Sequence, residues 1–150
     1  MTIAVTVAVC RSDVIFVVDE SGSIPESDFA LMKSFLSETV GRLDIDSGNT
    51  RVGLVTYASS VGETFDLNDY STVASVQSAI SSLSYSGGGT DTAEALSYVR
   101  TSMLTSSAGD RSAVPNVVVV FTDGSSDDSS ATRVRMQCIC YRLVHLVYLV

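Results

Sequence analysis

The sequence predicts an α/β protein: a doubly wound, Rossmann-like, mostly parallel sheet with one antiparallel edge strand. Three observations carry this expectation. Two uninterrupted apolar runs, Val14-Ile15-Phe16-Val17-Val18 and Val117-Val118-Val119-Val120-Phe121, each lead to a carboxylate, Asp19 and Asp123. Continuous β-rich runs of this kind mark strands buried on both faces, as in a parallel sheet. Between them, stretches of helical period alternate with strand-like stretches, which is the signature of a sheet covered by helices. Finally, the second and third strand segments are joined by so short a link that they must form an antiparallel hairpin at the sheet edge.

The elements follow in order. After Asp19 comes the loop Asp19-Glu20-Ser21-Gly22-Ser23. In Ser23-Ile24-Pro25-Glu26, a hydroxyl cap, a proline in the first turn and Glu three residues after Ser predict a helix start. Phe29, Met32, Leu36, Val40 and Leu43 then recur at steps of three and four, one apolar stripe. Asp44 to Thr50 is a polar turn, Arg51 to Tyr57 the second strand and Glu63 to Leu67 the short third. Asn68 to Ser71 is expected to cap a second helix with the stripe Val73, Val76, Ile80 and Leu83. The glycine loop Ser86-Gly87-Gly88-Gly89-Thr90-Asp91-Thr92 opens onto a third helix with Leu96, Val99 and Met103 inward. A polar loop, Thr105 to Asn116, leads to the fourth strand and its Asp123-Gly124 end.

The pattern changes after Ser130. A doubly wound domain should continue with a helix, a buried strand and a closing helix. Val134 to Val150 instead reads as an apolar tail in which Leu143 to Val150 could form a strand. The expected organisation is therefore an N-terminal extension at 1–12, an incomplete domain at 13–133 and an atypical, truncated or frame-altered tail at 134–150. Left exposed, a tail of this composition is an aggregation hazard.

Composition narrows the function. A chain of 150 residues with 45% hydrophobic content is one domain with a real core. Its net charge of −8 argues against nucleic acid, whose partners are basic, and suits either a cation-binding surface or an acidic solvated face. Charge is uneven: residues 1–128 hold 17 acids against 6 bases, and 129–150 hold three arginines and no acid. No run is long and apolar enough to span a bilayer as a helix. Residues 1–10 lack the basic start and cleavage site of a signal peptide and read as an added strand or the cut start of a longer chain. Cys10, Cys138 and Cys140 are an odd set, and Cys-x-Cys is too tight for the usual zinc spacing. They leave disulfide state and compartment open.

Three loops should converge at the carboxyl edge of the sheet, where open α/β sheets keep their ligand sites. They bring Asp19, Ser21 and Ser23 from the first, Thr90 from the glycine loop and Asp123 from the fourth strand. Two carboxylates and three hydroxyls, without His or Cys, make an all-oxygen shell for a hard divalent ion: Mg²⁺ first, with Mn²⁺ or Ca²⁺ as alternatives. Each piece alone has a plainer reading. Asp-x-Ser-x-Ser is turn and cap chemistry, Asp123-Gly124 a turn, and the glycine loop a flexible turn or a phosphate cradle, though it lacks the Gly-Lys-Ser/Thr of a P-loop. Their joint order, each at a strand or helix terminus, favours the metal. Asp127 and Asp128 read as solvated loop, and Glu20, alternating away from the centre, as exposed.

These residues resemble the von Willebrand factor type A domain and its metal-ion-dependent adhesion site. The likeness covers roughly residues 13–130. It rests on Asp-x-Ser-x-Ser after a hydrophobic strand, Gly-Gly-Gly-Thr-Asp-Thr, Phe-Thr-Asp-Gly, and Arg51 to Tyr57 as the second strand. The resemblance implies direct coordination by Ser21, Ser23 and Thr90, with Asp19 and Asp123 binding directly or through water. One coordination position is left for a carboxylate from a partner protein. It also implies an extracellular adhesion or matrix protein of the collagen and matrilin kind, Asp-Glu-Ser-Gly-Ser-Ile being typical there, with collagen or another matrix protein as partner and no enzymatic activity.

Two rival readings remain. A Mg²⁺-dependent phosphotransfer enzyme or hydrolase would need a base or nucleophile at the metal. Asp19 and Asp123 are already committed to the shell, Ser21 stands where a second Asp would favour phosphotransfer, and the single histidine, His145, lies in the tail. The other rival is a non-functional fragment of a larger matrix protein, lacking half of its sheet.

Overall fold

The structure, a computed structural model, describes residues 10–123 and 126–133 and the backbone of 144–149. Most of the expected N-terminal extension and of the tail, with Cys138, Cys140 and Gly124, lies outside the described residues. Cys10 is exposed and makes no disulfide among the described residues.

Strand β1 (Ser12–Asp19) is the middle of a five-stranded sheet. It pairs in parallel with β2 (Thr50–Tyr57) on one side and β4 (Asn116–Phe121) on the other. Outside β2 lies β3 (Val61–Phe65), antiparallel; outside β4 lies β5 (Val144–Leu149), parallel, with Asn116 opposite Val144 and Phe121 opposite Leu149. The order β3-β2-β1-β4-β5 is doubly wound. The tail segment expected as a strand is one, and it covers the edge of β4 that would otherwise present unpaired backbone groups.

Alternation along β1 explains why both faces need helices. Val14, Phe16 and Val18 join a core with Phe29, Leu36 and Val40 of α1 (Glu26–Val40) and Val76 and Ile80 of α2 (Val73–Ser82). Ile15 and Val17 join a second core with Val118 and Val120 of β4, Leu96 of α3 (Thr92–Tyr98), and Val99 and Met103 of the π-helical turn that continues it. The expected stripes are therefore the buried ones, with Met32, Leu43 and Val73 only partly covered.

Three local expectations are corrected. Ser23 does not cap α1: Pro25 holds the cap position without a side-chain bond, because the Ser23 hydroxyl is turned to Ser21, Oγ to Oγ 3.1 Å. The α2 cap is Thr72, which exchanges bonds with Ser75, while Asn68 reaches Ser107 O and Asp69 closes a turn on Asp66 N. The cap of α3 is Asp91, next to Thr90, which accepts from Glu94 N at 2.9 Å. β3 lies two residues earlier than expected. The chain leaves the sheet after Phe65 through the Asp66–Asp69 turn, and Leu67 packs into the second core instead of pairing.

The amino end of β1 is held by a buried ion pair. Asp13 is fully buried, and it accepts from Arg111 Nε at 2.8 Å and from Arg111 N at 2.9 Å. The same guanidinium donates to Gly48 O, Ser12 O and Asn49 O, so one side chain gathers the starts of β1 and β2. Arg111→Ala strands a buried carboxylate and should cost about 3–5 kcal/mol, seen in urea unfolding as a lower midpoint at unchanged slope. Asp13→Asn, which removes the charge with its partner still in place, should cost less; the reverse order would mean that charge pairing is not what holds this end.

Candidate functional site

The opposite, carboxyl end of β1 carries the second buried aspartate of the strand. In a sheet ordered 3-2-1-4-5 the winding reverses between β1 and β4, and the crevice beyond their carboxyl ends is where such sheets bind ligands. Asp19 ends β1, and Asp123 follows β4 by two residues.

Asp19 is 0% exposed and is held by donors from three directions. Its Oδ1 accepts from Ser21 N at 2.8 Å, the Asx-turn geometry that a short carboxylate favours at the start of a loop. Its Oδ2 accepts from Thr122 Oγ1 at 2.8 Å, which ties the end of β4 to the end of β1, and lies 3.5 Å from Tyr57 OH. Tyr57 OH in turn accepts from Thr92 Oγ1 at 3.3 Å. Unlike Asp13, Asp19 pairs with no Lys, Arg or His among the described residues.

The Asp-x-Ser-x-Ser loop turns back on itself, with Ile24 N bonded to Ser21 O at 3.0 Å. Ser21 is fully buried and Ser23 exposed, their hydroxyls 3.1 Å apart. Tyr85, stacked on Phe29, holds this turn by donating to Ile24 O at 2.8 Å, with Ser21 O at 3.3 Å.

The glycine loop is laid against the same turn by its backbone: Gly22 N donates to Gly88 O at 2.9 Å and Gly87 N to Glu20 O at 3.1 Å. From the other side Ser59 Oγ accepts from Gly89 N at 2.7 Å. Gly88 has φ +108, and a Cβ there would lie 2.8 Å from Ser59 Oγ, so both its conformation and the approach of Ser59 require glycine. Thr90 follows, buried, its N–H donating to Asp127 Oδ2 at 2.7 Å.

The five residues singled out in the sequence are thus distributed as follows. Asp19, Ser21 and Ser23 form one bonded group, and Thr90 sits on the loop pinned to it. Asp123 is exposed on the adjoining strand end, beside the Thr122 that bonds Asp19. Among the described residues, no three or more of His, Cys, Asp and Glu gather as a metal cluster. The donors here are two carboxylates and three hydroxyls.

One expectation fails. Glu20 is not exposed: it is 4% accessible, because its N–H pairs with Tyr57 O and turns the side chain into a cavity of about 310 Å³ bordered by Ser59, Gly62, Glu63 and Ser86. Burial raises its carboxyl pKa, opposed by hydrogen bonds from Ser86 and Thr56 and reinforced by the charges of Glu63 and Asp19. Asp127 lies at the surface as expected, but its carboxylate is bonded rather than merely solvated. Sequence reasoning also missed Tyr57, Thr92 and Thr122 around Asp19. The adjacency of Thr122 to Asp123 was the one available signal.

A doubly wound sheet with hydroxyls and carboxylates at its switch point defines an α/β module of the Rossmann-like class. The chain belongs to the von Willebrand factor type A domain family, whose sequence model matches residues 13–146. It is 40% identical over 119 residues to the collagen alpha-4(VI) chain of Mus musculus, covering 78% of this chain and 5% of the collagen chain. It is 38% identical over 117 residues to matrilin-1 of Homo sapiens, covering 78% of this chain and 24% of matrilin-1. The chain thus spans at most about a quarter of either relative. Proximal thread matrix protein 1 from the mussel byssus superposes with a TM-score of 0.86 at 23% identity, covering 93% of this chain and 37% of that one. A form of that protein with a zinc-occupied metal-ion-dependent adhesion-site motif gives 0.82 at 27% identity, covering 93% and 35%. The relatives are of the extracellular-matrix kind that the sequence pointed to.

The glycine loop offers a direct test of this construction. Gly88→Ala should destabilise by about 1–2 kcal/mol from its backbone conformation alone, and by more because of the Ser59 contact. Gly48, also at positive φ (+76) but with nothing within 4 Å of an added Cβ, is the control. Urea unfolding should show a larger loss for Gly88→Ala than for Gly48→Ala; equal losses would mean that Ser59 does not pack against the loop.

Proposed function

We propose that this domain is a non-enzymatic, divalent-metal-dependent adhesion module of an extracellular matrix protein. Mg²⁺ is the proposed ion, with Mn²⁺ or Ca²⁺ as alternatives, and Asp19, Ser21, Ser23, Thr90 and Asp123 are its proposed ligands. The ion's contribution is to accept a carboxylate from a partner protein, collagen or another matrix protein being the class in view. The residues of this chain hold and orient the donor oxygens: Thr122, Tyr57 and the Ser21 N–H hold Asp19, and Tyr85 and the glycine-loop backbone hold the two serines.

The observation that carries this reading is the contrast between the ends of β1. Both aspartates are 0% exposed, and among the described residues Asp13 has a guanidinium whereas Asp19 has only neutral donors. Burying a carboxylate away from water costs several kcal/mol unless positive charge compensates it. A cation held at the adjoining hydroxyls would supply that charge, and all-oxygen donors suit a hard one. The family and its matrix relatives support an adhesion role, and the zinc-occupied motif of the mussel protein supports a divalent metal. For catalysis, the histidine that could serve as a base falls on β5 opposite Val117, five residues before Thr122 on β4 and away from the carboxyl edge.

The test is thermal unfolding in millimolar Mg²⁺ and in EDTA, with Asp19→Ala alongside. An ion that binds only the folded state should add about 2.7 kcal/mol at a hundredfold excess over its Kd. The parent transition should move up with Mg²⁺ and that of Asp19→Ala should not. Binding to immobilised collagen should require the metal and be lost in EDTA. A parent transition indifferent to Mg²⁺, Mn²⁺ and Ca²⁺ would remove the reading.

A further inference from the structure

The exposed pair Asp127-Asp128 divides into two unlike residues. Asp128 serves its own segment: its Oδ1 accepts from Ala131 N at 2.8 Å and its carbonyl from Thr132 N at 3.0 Å, a helical first turn. Asp127 turns the other way and exchanges two bonds with Thr90, 37 residues away: Thr90 N donates to Asp127 Oδ2 at 2.7 Å, and Asp127 N donates to Thr90 O at 3.0 Å. A second observation points to the same contact. A Cβ on Gly89 would lie 2.8 Å from Asp127 Oδ2, so the residue before Thr90 must be glycine for the carboxylate to reach the amide.

We propose that Asp127 is a positioning residue for the metal site, a latch that fixes the backbone of Thr90 and joins the glycine loop to the segment following β4. This rests on the reading of Thr90 as a ligand. Of the attachments of the glycine loop described above, those from Glu20, Gly22 and Ser59 hold residues 87 to 89, and none of them holds Thr90. Caught at both its N–H and its C=O, Thr90 has its Cα, and hence the origin of its hydroxyl, held against residues 126–133. Asp123 leads into that segment, so the latch ties together two of the three loops that supply proposed ligands. It acts as a hydrogen-bond acceptor rather than through net charge: an amide oxygen in the same place can also accept the Thr90 N–H.

Groups that orient metal ligands from outside the shell change metal affinity by about 10- to 100-fold when removed. Mg²⁺ and Mn²⁺ titrations of the full chain by calorimetry, with thermal unfolding in EDTA beside them, test the proposal on Asp127→Ala, Asp127→Asn, Asp19→Ala and Asp46→Ala. Asp46 is a matched control, a surface carboxylate that accepts Val73 N at 2.8 Å on another loop. Asp127→Ala should weaken Mg²⁺ binding about tenfold or more. Asp127→Asn should restore it to near the parent value, and Asp46→Ala should leave it unchanged whatever its effect on metal-free stability. Parent affinity in Asp127→Ala overturns the latch, as does an Asp127→Asn variant that folds but binds as weakly as the Ala variant. Should Asp127→Ala fail to fold, the Asn variant alone decides. Failure of the underlying reading looks different: the parent itself would bind no metal, or Asp19→Ala would bind as well as the parent.

Discussion

The structure depends on one strand that buries a negative charge at each end. β1 is apolar from Val14 to Val18 and completely enclosed, with sheet neighbours on both sides and helices on both faces. Asp13 and Asp19 are carried inside with it. A carboxylate in such a place must be compensated, and the two ends meet that requirement by different means. At the amino end Arg111 crosses from the loop before β4, satisfies Asp13 and uses its remaining donors on three backbone carbonyls. That end is closed, with charge balanced by charge. At the carboxyl end the donors among the described residues are a backbone N–H and hydroxyls, which orient Asp19 without neutralising it.

This asymmetry separates stability from binding within a single strand. The Arg111 cluster joins the starts of β1 and β2 to the approach of β4. The β1–β4 register brings Val18 level with Phe121, and hence Thr122 within reach of Asp19. The unneutralised end is left as the place where a cation would be favoured, and the surrounding loops are built as supports for it. Tyr85 braces the serine turn, Ser59 and the backbone of Glu20 and Gly22 brace the glycine loop, and Asp127 braces Thr90. Most of these bonds involve main-chain atoms. Backbone held from several sides positions a side chain more narrowly than a mobile loop does, which is what preorganising a site requires.

The tail has a related role. Its six described residues pair with β4 over its full length, so β4 is flanked on both sides like β1, although Val117 and Val119 are only partly buried. The alternation of β4 then works as it does in β1, with Val118 and Val120 on the α3 face and Phe121 on the α1 face, where it meets Phe16 and Phe35. The strand that ends beside the site is therefore fixed along both edges, although the composition of the tail alone suggested a loose end.

Much of this was legible in the residues, for reasons that are local. Apolar runs ending in Asp, helical stripes and a hairpin link are properties of neighbours in sequence; they determined the fold class and the three loops, and they singled out Asp19, Ser21, Ser23, Thr90 and Asp123 as candidates. Local chemistry also misled where two structures compete for one group. The hydroxyl of Ser23 could cap α1 or face Ser21, and only the folded loop decides. The same holds for Glu20: alternation within the motif pointed it outward, whereas pairing of its N–H with Tyr57 O turns it in. What tertiary structure alone decided are contacts whose partners are far apart along the chain, Thr122 with Asp19, Arg111 with Asp13 and Asp127 with Thr90. A sequence can show that a carboxylate sits at the end of a buried strand. Whether it is neutralised there or left open to a cation depends on which donors the fold brings to it, and that is set by packing, not by its neighbours in the chain.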